Sequence, residues 1–134
     1  MVVLRSDELP LHSDEDVVRA RQAVRKWAIE QGFSLVDQTK IVTAASELAR
    51  NTVVHGAGGS MRLESLNDGA RRGLRLVFQD RGPGIADIAL ALKDGYSTGT
   101  GLGLGLGGAR RLMSEFVVSS SPGQGTTVTA VRWR

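Results

Sequence analysis

The chain has 134 residues, of which 41% are hydrophobic, and it contains no cysteine. This length suits one domain, so residues 1–134 are expected to form a single domain with one core, without disulfides or a thiolate-bound metal. No stretch approaches the roughly 18 consecutive apolar residues of a membrane span, and the N-terminus lacks the basic and apolar regions of a signal peptide. These features predict a cytoplasmic protein that does not associate with membranes.

The net charge of +3 is spread over the whole chain rather than gathered in one basic region. The 17 Lys and Arg residues are interleaved with 14 acidic residues, and the only adjacent arginines are Arg71–Arg72 and Arg110–Arg111. Aromatic residues make up 4% of the sequence, which is too few for a base-stacking platform. A solvated, arginine-rich surface is the better interpretation, and no nucleic-acid partner is expected.

In chain order, the first half predicts short strands followed by two helices. Two apolar pieces, residues 2–4 and 9–12, could each form an edge strand. The sequence Ser13-Asp14-Glu15-Asp16 is typical of a capped helix start, and the helix that follows it ends at Gly32. A second helix starts in the same way at Ser34. The apolar faces repeat at helical spacing and consist of Val17, Ala20, Val24, Trp27 and Ala28 in the first helix and of Ile41, Ala45, Leu48 and Thr52 in the second.

The second half predicts strands at period two, with one helix on either side of a glycine-rich segment. The expected strands lie at residues 61–65, 74–80, 116–120 and 126–133. One helix, before the glycine-rich residues 95–108, has Ile85, Ile88, Ala89 and Leu92 on one face. The other helix, at the end of that segment, has Leu106, Ala109, Leu112, Met113 and Phe116. Helices cluster early and strands pair as hairpins. The predicted fold class is therefore α+β, a two-layer sandwich with helices on one face of a mixed, mainly antiparallel sheet.

Glu47 and Asn51 lie four residues apart on the second predicted helix, which ends in the loop of residues 55–59. At this spacing both polar side chains project from one face of the helix, and His55 continues the line one turn later. A carboxylate beside a carboxamide can act as a base and as a ligand for Mg²⁺, which prefers oxygen donors. The alternative is an exposed helix face with an ordinary Glu–Asn hydrogen bond.

Asp80 ends an apolar strand and is followed by Arg81-Gly82-Pro83-Gly84. This order places a carboxylate at the edge of the core, and the two glycines allow the backbone to approach a flat ligand closely. An ordinary turn, in which the aspartate satisfies nearby amides, is the alternative.

Glycines recur at alternating positions from Gly99 to Gly107 and run directly into a predicted helix. So many glycines leave backbone N–H groups free to surround an anion, and the start of the helix adds partial positive charge. The segment matches the dinucleotide pattern G-x-G-x-x-G poorly, and it lacks the G-K-[ST] of a P-loop. A phosphate-binding segment of another kind is indicated.

Taken in order, these segments resemble the GHKL (Bergerat-fold) superfamily of ATPases and kinases. Glu47-x-x-x-Asn51 is similar to its N box, Asp80-x-Gly82-x-Gly84 to its G1 box, residues 101–108 to its G2 box, and Gly125-Thr126-Thr127 to the late Gly-Thr that closes the adenine pocket. The phrases ELARN, DRGPGIADI, DGYSTGTGLGLGL and RRLMSEF are similar to the RsbT subgroup of serine/threonine switch kinases. One departure is Gly107-Gly108, where the subgroup has Pro-Gly.

The resemblance implies an ATP-dependent serine/threonine protein kinase that uses Mg²⁺. Glu47 would orient or deprotonate the attacking hydroxyl, Asn51 would bind Mg²⁺, and Asp80 would accept a hydrogen from the adenine amino group. Arg50 would reach the γ-phosphate or face a partner protein. The remaining nucleotide contacts would come from Gly82, Gly84, Ser97, Thr98, Gly99, Gly101, Leu102, Gly103, Leu104, Gly105 and Thr126.

The partner implied by the resemblance is a STAS-domain protein that is phosphorylated on Ser or Thr within a bacterial stress-response switch, with a PP2C-type phosphatase as a second partner. Two alternatives stay open. One is an anti-sigma factor of the RsbW or SpoIIAB kind, which shares every nucleotide box. The other is a nucleotide-gated module that binds partners and has little kinase activity.

Overall fold

The computed structural model describes residues 1–93 and 106–134 of the chain. Within these ranges the elements in chain order are strand β1 (Val2–Leu11), helix α1 (Asp14–Glu30), helix α2 (Leu35–Val54), strand β2 (Gly59–Asn67), strand β3 (Arg72–Asp80), helix α3 (Ile88–Ala91), helix α4 (Leu106–Leu112), strand β4 (Glu115–Ser120) and strand β5 (Thr126–Trp133). None of the described helices combines the length and the apolar character needed to cross a membrane.

The described strands form a five-stranded sheet in the order β1-β2-β3-β5-β4, and every pairing between them is antiparallel. Side chains that point to one face alternate along each strand, and on β3 they are the buried Leu74, Leu76 and Phe78. Helices α1 and α2 pack on this face, where Val24 and Leu48 join the same apolar cluster. The predicted α+β architecture is confirmed.

Both long helices begin at the predicted caps. Ser13 Oγ accepts a hydrogen bond from the Asp16 N–H at 3.2 Å, and Ser34 Oγ accepts one from the Asp37 N–H at 3.1 Å. These bonds satisfy backbone donors that have no partner within the first helical turn. The His12 N–H donates to the Asp16 carboxylate at 2.8 Å, and this bond holds the pKa of Asp16 below its usual value. The end of β1 is thereby tied to the start of α1.

The N-terminal residues form one long strand, so the prediction of two short edge strands at residues 2–4 and 9–12 is wrong. The polar residues between these pieces pair with β2 in a continuous register, for example Glu8 with Arg62, and the register shifts only between Val3 and Arg5. An edge strand tolerates charged side chains, because pairing uses the backbone. The interrupted hydropathy of this segment therefore did not mark a break in the strand.

Two of the predicted helices are shorter in the structure. The last helix ends at Leu112 rather than at Phe116, which lies in β4 and pairs with β5. Helix α3 covers only Ile88–Ala91, because Asp87 caps its start by accepting the Leu90 N–H at 3.0 Å, and Ile85 lies before this cap, where its N–H donates to Ser120 Oγ at 2.8 Å. Pairing of Phe116 with the sheet therefore limits α4, and a local cap limits α3.

A row of residues in register crosses all five strands at one end of the sheet. Leu11 pairs with Gly59, Gly59 with Asp80, Asp80 with Thr126, and Thr126 with Ser120. The three polar members of this row are neighbours on β3, β5 and β4. The sheet therefore ends in a polar edge beside an apolar core.

Candidate functional site

A cavity of about 310 Å³ lies between α2, α3 and the polar end of the sheet. This volume is at the lower end of the range of small-molecule sites. Its apolar lining includes Leu48, Phe78, Ile85, Ala91, Leu106 and Val128. Its polar lining includes Asn51, Thr52, His55, Asp80, Asp87 and Thr126. Apolar walls with a limited number of polar groups are the arrangement expected of a small-molecule site.

Four of the residues predicted as site residues line this cavity together. Asn51 projects from α2, Asp80 ends β3, Gly84 lies in the loop after β3, and Thr126 begins β5. Residues from a helix, two strands and a loop therefore converge on one space. Gly82 supports the same region, because a Cβ there would lie 2.7 Å from the Gly56 Cα.

Glu47 and Arg50 lie on α2 beside the cavity but do not line it. Glu47 is one helical turn before Asn51 and thus on the same face. Its carboxylate lies 3.8 Å from the Arg50 guanidinium, and the two side chains are 39% and 64% exposed. A loose ion pair with this exposure adds little to stability. Both side chains are placed to meet groups that approach from solvent.

Ser97, Thr98, Gly99, Gly101, Leu102, Gly103, Leu104 and Gly105 lie outside the described residues. Their predicted contacts with phosphate stay a prediction. On either side of this segment, Ala91 in α3 and Leu106 at the start of α4 both line the cavity.

The carboxylate of Asp80 is held by backbone on several sides. Its Oδ1 accepts the Gly82 N–H at 2.9 Å. A Cβ at Gly56 would lie 2.5 Å from Oδ2, and a Cβ at Gly125 would overlap the Asp80 carbonyl oxygen. Gly56 and Gly125 thus let two chain segments approach this aspartate more closely than a side chain would permit. The Gly82 N–H therefore fixes Oδ1, and the backbone of Gly56 lies beside Oδ2.

The loop that follows Asp80 is fastened to the turn between β4 and β5. The Gly123 N–H donates to the Pro83 carbonyl at 2.7 Å, and the Ile85 N–H donates to Ser120 Oγ at 2.8 Å. Gly84 has a φ of +78°, and a Cβ on it would overlap the Ser121 carbonyl oxygen. Glycine is required here both for its conformation and for the space.

Sequence reasoning missed several contributors to the site. The sequence prediction places Gly56 only in a loop, although it packs against Asp80, and it gives neither Ser120 nor Asp87 a place in the site. Asp87 caps α3 by accepting the Leu90 N–H at 3.0 Å. Local sequence offered a signal only for Asp87, as an acidic residue just before a helix. The contacts of Gly56 and Ser120 depend on residues distant in the chain.

His55 immediately follows α2, where its N–H donates to the Asn51 carbonyl at 2.9 Å, and it lines the cavity. His55, which was predicted to follow Glu47 and Asn51 along one helix face, therefore lies at the end of α2. This end is where α2 turns toward Gly56 and the Asp80 carboxylate.

The chain matches the family described as the histidine kinase-like ATPase domain over residues 11–132. The protein therefore belongs to the histidine kinase-like ATPase family. More particularly, it is 47% identical over 118 residues to the serine/threonine-protein kinase RsbT of Bacillus subtilis (strain 168), and the match covers 88% of this chain and 89% of that protein. The resemblance drawn from the N, G1 and G2 boxes and from the RsbT phrases is confirmed.

Solved structures share the fold. The RsbU and RsbW domains of a Mycobacterium tuberculosis protein match with a TM-score of 0.62 and 23% identity, over 97% of this chain and 33% of that one, so this chain spans about a third of that structure. The SiaB–SiaC complex from Pseudomonas aeruginosa matches with a TM-score of 0.54 and 15% identity, over 98% of this chain and 91% of that one. At such identities the likeness concerns the fold alone.

The close packing behind Gly84 can be tested with a matched pair of substitutions. Gly84 and Gly69 both have positive φ values, +78° and +91°, but a Cβ at Gly69 meets nothing within 4 Å. We expect Gly69→Ala to lower the free energy of unfolding by about 1–2 kcal/mol, the cost of the left-handed backbone alone. Gly84→Ala should lower it by about 1–3 kcal/mol more, because the loop has to move away from Ser121. Urea unfolding of both variants measures the difference, and equal losses would contradict the packing described here.

Proposed function

We propose that this protein is an ATP-dependent serine/threonine protein kinase that phosphorylates a STAS-domain antagonist and acts as a partner-switching regulator of a bacterial stress response. The kinase class follows from family membership and from 47% identity to the serine/threonine-protein kinase RsbT. The observation that carries the proposal is the convergence of Asn51, Asp80 and Thr126 on one cavity. These residues belong to three separate boxes of the sequence, and each has a place in the proposed site.

The adenine would bind at the end of the sheet. Asp80 Oδ2 accepts a hydrogen from the amino group of the base, while Oδ1 remains bonded to the Gly82 N–H at 2.9 Å. Leu48, Phe78 and Val128 supply apolar surface for the faces of the base. An acceptor at this position favours adenine over a base that carries an oxo group there, because two acceptors would then face each other.

Asn51 would hold Mg²⁺ at the cavity wall formed by α2. Among the described residues no group of three or more His, Cys, Asp or Glu side chains could hold a metal ion. The donor set nevertheless fits Mg²⁺, which commonly takes one or two protein ligands and completes its shell with water and phosphate oxygens. When bound, Mg-ATP supplies the γ-phosphoryl group and the cation that neutralises the phosphates.

The phosphate groups would be held by the glycine-rich segment. We assign the hydroxyls of Ser97 and Thr98 and the backbone amides from Gly99 to Gly105 to the phosphate oxygens. Free N–H groups in such a segment favour an anion. The chemistry asks the protein mainly for positioning and charge stabilisation, as is usual in phosphoryl transfer.

Glu47 would act on the protein substrate. It shares a helix face with Asn51, one turn away, and its side chain is 39% exposed. From this position a carboxylate can orient the attacking Ser or Thr hydroxyl and take up its proton. Arg50 lies beside it with 64% of its side chain exposed, and we assign it to the rim of the site, where it meets the incoming partner.

The partners proposed are a STAS-domain protein as substrate and a PP2C-type phosphatase as a second partner, both in the cytoplasm. The relation to the RsbT kinase supports this choice over an anti-sigma factor.

Replacing Asp80 by Asn tests the adenine contact. The Asn oxygen can still accept the Gly82 N–H, so the loop is retained, but an NH₂ group replaces the free acceptor. We expect the Kd for ATP to rise about 10- to 100-fold, the range for loss of a hydrogen bond to a charged group. Titration calorimetry measures this change. Asp14→Asn, at an exposed position in the first turn of α1, removes the same charge and should leave the Kd unaltered. An ATP affinity unchanged in Asp80→Asn would refute the adenine role.

The catalytic assignments separate in a transfer assay with labelled ATP and a STAS-domain substrate. Glu47→Gln should slow phosphoryl transfer about 10²- to 10⁴-fold, the usual contribution of a general base, while ATP binding stays near normal. Asn51→Ala should lose both transfer and the Mg²⁺-dependent part of ATP binding. Glu15→Gln, an exposed glutamate in the first turn of α1, is the matched control. Transfer at the wild-type rate in either site variant would show that the assignment is wrong.

Affinity capture from a bacterial lysate distinguishes the partner classes. With ATP present, we expect the tagged protein to recover STAS-domain proteins and, from cells under stress, a PP2C-type phosphatase. Recovery of a sigma factor would instead support an anti-sigma factor. If the capture of STAS-domain proteins depends on ATP but the transfer assay with labelled ATP gives no phosphorylated product, the nucleotide-gated module is supported.

A further inference from the structure

The hydroxyl of Ser120 joins three parts of the molecule at the end of β4. Ser120 Oγ lies 2.8 Å from the Ile85 backbone nitrogen, 2.9 Å from the Gly125 carbonyl oxygen and 2.8 Å from Thr126 Oγ1. These partners belong to the loop after β3, the turn before β5 and the first residue of β5. No role for Ser120 is contained in the nucleotide boxes described above.

The three contacts can all be hydrogen bonds in only one arrangement. A serine hydroxyl has one hydrogen and two acceptor lone pairs. The Ile85 N–H can only donate, so it uses one lone pair of Ser120, and the Gly125 carbonyl can only accept, so it takes the one hydrogen of Ser120. Thr126 must then donate its own hydrogen to the second lone pair of Ser120. The Thr126 hydroxyl is left with acceptor lone pairs for its remaining contacts.

Thr126 lines the cavity and lies directly opposite Asp80 in the pairing of β3 with β5. On Asp80, Oδ1 is taken by the Gly82 N–H at 2.9 Å, and no other hydrogen bond to this carboxylate is found among the described residues, so Oδ2 can accept one from a ligand. The end of the sheet therefore offers two neighbouring acceptors, a carboxylate oxygen and a hydroxyl oxygen whose own hydrogen is already used.

We propose that Ser120 is a positioning residue that sets the base specificity of this site by holding the Thr126 hydroxyl as an acceptor. A pair of acceptors fits a ligand edge that carries hydrogen-bond donors, such as the amino group of a 6-aminopurine. At position 6 the same pair opposes the oxygen of a 6-oxopurine, because that oxygen is itself an acceptor. This inference rests on the proposed binding of ATP, and it adds a residue that acts on selectivity through Thr126 without touching the nucleotide.

Selectivity between ATP and inosine triphosphate, which carries an oxo group in place of the amino group, gives the test. In Ser120→Ala the Thr126 hydroxyl is free to rotate and donate to the oxo group, so the preference for ATP should fall about 3- to 10-fold, the equivalent of one hydrogen bond. Ser120→Cys keeps the shape of the side chain but has a weak donor and acceptor. Its preference for ATP should lie between those of the wild type and Ser120→Ala. Ser119→Ala is the matched control, because Ser119 is exposed and belongs to the opposite face of β4.

A purely structural role for Ser120 would weaken both nucleotides equally and leave their ratio unchanged, and that result would overturn the proposal. The ratio of the affinities for ATP and inosine triphosphate, measured in a Thr126→Ala background, adds a second criterion. There Ser120→Ala should have no further effect on the ratio, and a further change would show that Ser120 does not act through Thr126. If Ser120→Ala fails to fold, Ser120→Cys carries the same comparison.

The wild-type protein separates this inference from the proposed function. Absence of ATP binding in the wild type would defeat the proposed function itself. Binding of ATP and inosine triphosphate with equal affinity would leave a nucleotide site standing, but it would reject both the specificity inferred here and the preference for adenine assigned above to Asp80.

Discussion

The structure depends on the close approach of backbone segments around the end of β3. Gly59 pairs with Asp80 from β2, and a Cβ on it would overlap the Gln79 carbonyl oxygen. Gly56 and Gly125 approach the same aspartate from the end of α2 and from the turn before β5. Glycine in these places costs conformational entropy on folding. The close approach that these glycines allow offsets this cost, because it fixes the Asp80 carboxylate at the point where helix, sheet and loop meet.

Helix α2 connects the core to the site. Its inner positions, Ile41, Ala45 and Leu48, are buried against the sheet. Asn51 follows Leu48 by three residues and so lies nearly above it on the helix surface. The packing that stabilises the helix therefore also sets the direction of the Asn51 side chain. A functional group positioned by a packed helix is held more firmly than one on a loop.

Much of the fold and part of the site follow from local sequence patterns. The caps at Ser13 and Ser34 and the strand ending at Asp80 are signalled by neighbours in the chain, and the structure has them. The roles of Gly56 and Ser120 arise from pairing register and loop contact, which join residues far apart in sequence. Ser120 is 35 residues away from Ile85, whose N–H donates to the Ser120 hydroxyl. A single sequence carries no local trace of such a contact.

The two ends of the proposed site differ in their access to solvent, and this difference favours an enzyme over a nucleotide sensor. At the adenine end, Asp80 and Thr126 lie between strands and beneath a loop tied to the β4–β5 turn. At the α2 end, Glu47 and Arg50 stand on an exposed helix face. In the proposed site a base bound between Asp80 and Thr126 would fix the nucleotide, while the α2 end would leave the Glu47 carboxylate accessible to a hydroxyl on another protein. A module that only sensed ATP would need the first feature and not the second, so under the proposed function the partly exposed Glu47 beside Asn51 is the group that would act on the hydroxyl of a partner.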